Sequence, residues 1–465
     1  MTIALPLPSL RRLLGLAWPI VISRSTQVLI GFCDAAMVAD LGESALAATT
    51  TGAVNTYALF VLPIGVVFIV ASFASQLFGK NDLPGARRYG WYGLMVAALT
   101  QLLCMASVLF VPRALGLFDY TPELRSMMTD YLTVRLFSGG AAVGLDALAN
   151  YYGGLGNTRL PMLANVLAMV VNVALNWVLI SGHLGMPAMG VKGAALASAL
   201  ATDLAFLALF IAFFLGLGAP GGRARSKLRW TEFTRMLRFG LPSGFNWFFE
   251  FAAFVFFINV VVAGLGTTSL AAMMTVFQLN AISFMPAFGI ASAGAILVGQ
   301  AIGAKDHDNV PWIMRLTLYV TSAWQGLVGV IYLIIPTVLL QPFVDSSAGA
   351  QRFVAVGVRM LMLSAAWQLF DAAVGTLSET LRAAGDTAFC LWARVLIAWT
   401  IFVPGALISV RWLGGGDVVA MLWLILYMAL LALALALRFR GGAWRRVDLA
   451  STEGAMDRAA APPAG

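Results

Sequence analysis

The sequence predicts an all-α polytopic membrane protein of twelve transmembrane helices in two six-helix bundles with a cleft between them. Three observations carry that expectation. The 465 residues are 60% hydrophobic and 11% charged, with a mean hydropathy of +0.88, a balance that excludes a soluble enzyme with a single anchor. Apolar stretches long enough to cross a hydrocarbon core of about 30 Å recur from end to end. The chain also repeats itself after 224 residues, so that "VADLGESALAATTT" from Val38 and "VAGLGTTSLAAMMT" from Val262 share eight of fourteen positions. Continuous apolar runs, rather than short alternating ones, set aside a transmembrane β-barrel.

The spans follow in order. The first, 13–39, contains Pro19, which removes a backbone hydrogen bond and can bend the helix. It closes on "GFCDAAMVADLG", where Asp34 lies about 7.5 Å from the span's end at 1.5 Å per residue. The second, 46–78, holds Tyr57 and reaches the membrane face at Gln76 and Gly79. The third and fourth are 90–111 and 127–153, the latter with Asp146. In the fifth, 160–181, Asn172 and Asn176 stand at i and i+4 and share a helix face. The sixth, 192–217, carries Asp203, and a basic stretch, "GGRARSKLRW", makes 221–239 the connecting loop. The seventh, 240–263, has Glu250 in "NWFFEFAAFVFF", eight residues after Pro242. The eighth, 270–303, carries Gln278, Asn280 and Phe284 and ends at Gln300 and Gly303. The ninth is 312–338, and the tenth, 355–381, contains Asp371 and Glu379. Spans 388–410 and 418–437 complete the C-terminal half, and the small, polar tail 441–465 is expected to be disordered.

With the N-terminus inside, 19 of the 29 Lys and Arg fall on the same side, 6 on the other and 4 within spans. That asymmetry places both termini in the cytoplasm. It also assigns the net charge of +8 to topology and lipid headgroups rather than to nucleic acid. Arg outnumbers Lys by 25 to 4, which together with abundant Ala and Gly points to a GC-rich bacterial genome and hence a bacterial cytoplasmic membrane. Cys33, Cys104 and Cys390 are odd in number and lie in apolar spans, so no disulfide framework or thiolate metal site follows. "FGKND" lacks the glycine and hydroxyl residue of a Walker A motif, so ATP is not expected as the energy source. The two histidines, His183 and His307, lie in loops and give no support to zinc hydrolysis. No cofactor is expected, and the chain is expected to act as a monomer.

The repeat offset also pairs Gln76 with Gln300 and Gly79 with Gly303, and an offset of 229 pairs "GNT" at Gly156 with "GDT" at Gly385. Six helices per half start and end on the same side, which makes the halves parallel repeats about an axis along the membrane normal. Transporters of this kind rock two bundles about the cleft between them.

"GFCDAAMVADLG", "FQLNAISFMPAFGIASAGAILVGQAIGAKD", "HLGMPAMGVKGAALASALA" and "ETLRAAGDT" together resemble the multidrug and toxic compound extrusion (MATE) transporters, NorM-type subgroup, over about residues 11 to 440. The resemblance implies a V-shaped cleft and a polyspecific exporter that expels organic, mostly cationic compounds while admitting Na+ or H+. It implies an ion-linked Asp34 with Pro19 as the bending residue, and a polar N-lobe cluster with Asn172 and Asn176. Some members have Asp where Asn176 stands. It also implies Na+ coupling at Glu250 and Asp371.

Residue chemistry is consistent with these roles and leaves alternatives beside them. A carboxylate in a membrane helix is costly and usually faces a polar cavity. Asp34, Asp146, Asp203, Glu250, Asp371 and Glu379 qualify, although Asp34 so near a helix end also suits an interfacial cap. Asn172 and Asn176 suit an ion site or plain interhelical hydrogen bonding. Glu250 among aromatic rings needs a proton or a cation beside it, and hard carboxylate oxygens at Glu250 and Asp371 suit Na+. Trp247, Phe284 and their aromatic neighbours could hold lipophilic cations through their π faces, with Tyr57, Gln278 and Asn280 assigned to the same cavity. Asp146 is left between a coupling role and a partner in Arg135 or Arg24. A flippase for a lipid-linked polar substrate is the alternative function, and it would want clustered basic residues that Arg24, Arg135 and Arg394 are too scattered to supply.

Overall fold

A computed structural model describes residues 9–223, 227–344, 350–447 and 449. Among them every regular element is helical. With no water in the hydrocarbon core, only structures that satisfy their own backbone groups can cross it.

The N-terminal half comprises α1 (Leu10–Ala39), α2 (Glu43–Val67), α3 (Ile69–Gly79), α4 (Leu83–Val108), α5 (Val111–Leu115), α6 (Pro122–Leu136), α7 (Gly139–Gly154), α8 (Arg159–Ser181) and α9 (Gly190–Leu215). The C-terminal half comprises α10 (Trp230–Phe256), α11 (Thr267–Gly303), α12 (Val310–Ile334), α13 (Pro336–Leu340), α14 (Ala350–Ala384), α15 (Thr387–Leu396), α16 (Val403–Leu407) and α17 (Asp417–Arg440). Eleven stretches are long and apolar enough to span a membrane. The bent pair α6 and α7 brings the number to twelve.

The sequence read 127–153 as one span, and the chain bends there by 47° between Leu136 and Gly139. One side chain makes the break tolerable. Gln101 accepts from the Gly140 N–H at 2.7 Å and donates to the Leu136 carbonyl at 3.4 Å, so one amide satisfies two backbone groups released at the bend. A side chain at Gly139 would collide with Cys104 and Phe60.

Two other expectations need correction. Helix α10 begins at Trp230, inside the stretch 221–239 read as connecting loop, because Phe233 and Met236 supply a face that buries against the N-lobe core. The charges around them disguised that face. The tail expected to be disordered from 441 starts with a 3₁₀ turn, Ala443–Arg446, whose Trp444 is buried and stacks on Phe439. Residues 450–465 lie outside the described residues, as does Arg225 of the basic loop.

The internal repeat appears as reciprocal packing. Helix α1 packs on α11 while α10 packs on α2, each half lending its first span to the second of the other. Prolines inside these helices recur 223 residues apart, Pro19 with Pro242 and Pro63 with Pro286. At the end bearing Lys80 and Lys305, α3 crosses α11 so closely that a Cβ at Gly79 would strike the Gln300 carbonyl and one at Gly303 the Gln76 carbonyl. Gln76 donates to the Ala383 carbonyl at 2.8 Å, and Gln300 to the Gly154 carbonyl at 3.2 Å. Residues 154 and 383 are 229 apart, the second of the two sequence offsets. The two halves are therefore fastened at this end by symmetry-related bonds.

Candidate functional site

Asp34 sits on α1, and α8 and α9 close around it. Its Oδ1 accepts from Asn176 Nδ2 at 2.5 Å and its Oδ2 from Ser198 Oγ at 2.8 Å. Asn172 donates to Ser198 Oγ at 3.0 Å, and Asn176 reaches Asn172 Oδ1 at 3.3 Å. All four side chains are buried, with Asp34 only 7% exposed. An interfacial cap would be open to water, so burial removes that reading. Asn176 Oδ1 is buried without a partner. An orphaned acceptor beside a carboxylate is a place where a proton or a small cation fits. Pro19 lies on the same helix, which runs unbroken from Leu10 to Ala39.

In the C-terminal half, α10, α11, α14, α15 and α17 line two adjoining cavities of about 290 and 280 Å³ that share Glu250, Phe254, Phe284, Asp371 and Met428. Tyr57 and Trp247 line the first, and Asn280 the second. Asp371 accepts from Gln325 Nε2 at 2.9 Å, and Gln325 Oε1 is a second buried acceptor without a partner. Asn280 accepts from Gln368 and donates to the Val276 carbonyl at 2.7 Å. Gln278 lies elsewhere: it is exposed and lines neither cavity, since two residues turn it about 200° from Asn280 round α11.

Glu250 departs from the expectation of a simple Na+ ligand. It forms an ion pair with Arg394 of α15, whose guanidinium also donates to Asn246 Oδ1 at 3.0 Å and reaches the Tyr427 hydroxyl at 3.5 Å. The Arg394 side chain is 6% exposed and that of Glu250 39%, so the cation is fixed in the wall and the acid opens into the cavity. Among the described residues no group of three or more His, Cys, Asp or Glu could hold a metal ion. An inorganic cation at Asp371 would rely on neutral oxygens such as Gln325 Oε1.

Two of the remaining intramembrane acids, Asp146 and Glu379, are paired. Asp146 meets Arg24 at 3.4 Å, which decides between the two partners the sequence left open. Glu379 pairs with Arg382 one turn on, and Arg382 donates to the Phe68 carbonyl at 2.6 Å, joining the C-terminal half to the break between α2 and α3. Arg382 had counted toward the cytoplasmic charge and is instead buried. Arg24 and Arg382 both approach the Phe68 ring, at 5.1 and 5.3 Å from its centroid.

Sequence reasoning missed Ser198, Gln325 and the role of Arg394. Ser198 is one small residue in "ALASALA", with nothing to distinguish it. Arg394 carried a usable signal, because an arginine deep in an apolar span needs an acid near it.

Residues 19–178 and 242–408 match the family model described as MatE. The "Probable multidrug resistance protein NorM" of Chromobacterium violaceum is 29% identical over 410 residues, covering 84% of this chain and 83% of that one. The protein of the same name from Pseudomonas putida is 27% identical over 459 residues, 98% of each. Among solved structures, that of a MATE protein in complex with MaL6 superimposes with a TM-score of 0.83 at 20% identity, covering 94% of this chain and 97% of that one. At that identity the likeness is one of fold.

Proposed function

The chain belongs to the MatE family of membrane transporters, and from that premise we propose that it is a secondary active multidrug exporter of the bacterial inner membrane. On this reading it expels organic, mostly cationic compounds by alternating access, in exchange for Na+, H+ or both. It works as a monomer with both termini in the cytoplasm, the N-lobe over 1–220 and the C-lobe over 240–440. One observation carries the reading: a cavity walled by Trp247, Phe251, Phe254 and Phe284 holds two carboxylates, Glu250 and Asp371, beside a third, Glu379, that is paired with Arg382. Aromatic faces and a carboxylate attract a flat cation with little demand on its shape. The multidrug names of the relatives agree with it.

A buried carboxylate, Asp34, and a partly buried one, Asp371, each stand beside an orphaned amide oxygen, Asn176 Oδ1 and Gln325 Oε1. These are the groups assigned to the coupling ions, with a proton favoured at Asp34 and Na+ at Asp371. Lipid-linked substrates are less well served, because Arg24 and Arg382 each have an acid partner and leave no surplus positive charge for a phosphate.

Expression in a drug-sensitive bacterium tests this. Ethidium accumulation is expected to fall below that of cells without the protein, and to recover when ionophores collapse both the proton and Na+ gradients. Unchanged accumulation across a panel of organic cations would sink the reading, and export indifferent to both ionophores would remove ion coupling.

A further inference from the structure

We propose that Arg394 determines the charge of the substrates this transporter accepts, by restricting the C-lobe cavity to monovalent cations taken one at a time. This rests on reading that cavity as the path of the exported cation. The charged groups facing it are Glu250, Asp371, Glu379, Arg382 and Arg394. Glu379 and Arg382 pair with one another, and Arg394 pairs with Glu250. Asp371 receives only a neutral amide, from Gln325. The cavity therefore carries one net negative charge.

Arg394 is built to stay. A guanidinium cannot be deprotonated in a protein, and this one is held on Asn246 and Tyr427 as well as on Glu250. It acts as a resident counterion to Glu250, leaving one negative charge to be balanced by a single proton, Na+ or organic monocation. A dication entering the same space would leave a positive charge uncompensated away from water, which is costly. Arg394 thus selects by charge while the aromatic walls stay tolerant of shape.

The geometry supplies an independent way to change the charge. Gly375 lines the same cavity from α14, and a Cβ there meets nothing within 4 Å. Gly375→Asp adds a carboxylate to the cavity without replacing Arg394 or its partners.

The probes are ethidium and propidium, which share a phenanthridinium core and differ by one positive charge. Initial rates are measured in liposomes containing the full-length protein, with equilibrium binding read by dye fluorescence on the purified protein. Wild type is expected to favour ethidium. Arg394→Gln and Gly375→Asp should each raise the propidium-to-ethidium ratio by about tenfold, a modest figure for one unit charge at intermediate dielectric. Arg394→Lys keeps the charge and should keep the wild-type ratio. If Arg394→Gln fails to fold, Gly375→Asp decides alone. A ratio that stays put in a folded Gly375→Asp protein overturns the proposal. Wild type that binds both dyes but transports neither contradicts the export reading instead, and the binding ratios still judge Arg394.

Discussion

Asp34→Asn is expected to abolish proton-driven export while leaving the fold intact. Asn keeps an oxygen that accepts from Asn176, and its amide can donate to Ser198, whose hydroxyl accepts as well as donates. Only the charge is lost. Unit charges about 4 Å apart interact by about 4 kcal/mol at an effective dielectric of ~20, so driven export should fall by well over tenfold. The thermal midpoint of the purified protein should barely move. Asp34→Leu serves as the contrast, because it strands the buried Asn176 and Ser198 groups at about 1–3 kcal/mol each and should lower the midpoint as well. A D34N protein that exports normally under every ion gradient would reduce the N-lobe cluster to interhelical packing.

The second large effect is on stability. Glu250→Gln leaves the Arg394 guanidinium buried with neutral groups alone beside it, the new amide, Asn246 and Tyr427. Removing one partner of a buried pair typically costs about 3–5 kcal/mol. Glu250 is 39% exposed on the cavity side, so about 2–3 kcal/mol is expected. Adding Arg394→Met should recover most of that loss, because the pair then leaves together and an unbranched apolar side chain takes its place. The comparison is a double-mutant cycle on thermal midpoints in detergent. Additive losses would show that Glu250 and Arg394 do not depend on each other.

Much of the fold was legible because membrane spans are dictated by length and apolarity, and the bilayer leaves few other solutions. The repeat was legible too. Gln76, Gln300, Gly79 and Gly303 stood out as polar or minimal residues in apolar surroundings, and they are where the halves cross. Breaks within spans were not legible, because the bend before Gly139 depends on Gln101 of another helix. The site divides along the same line. Asn172 and Asn176 share a face as their spacing suggested and meet Asp34 as the resemblance implied, whereas Ser198 is known only by its contacts. Glu250 and Asp371 were found from their rarity in the membrane, but the cation opposite Glu250 comes from α15, about 140 residues away in sequence. Gln278 was misplaced because polarity alone does not say which face of a helix turns to a cavity.

The most direct test of exchange is transport of ethidium by the purified protein in liposomes, with a pH gradient and a Na+ gradient imposed separately and the membrane voltage held fixed. Wild type is expected to concentrate the dye against its own gradient, Asp34→Asn to lose the response to pH, and Asp371→Asn to lose the response to Na+. Dye that merely equilibrates in wild type, whichever gradient is imposed, would contradict antiport and leave a passive pathway in its place.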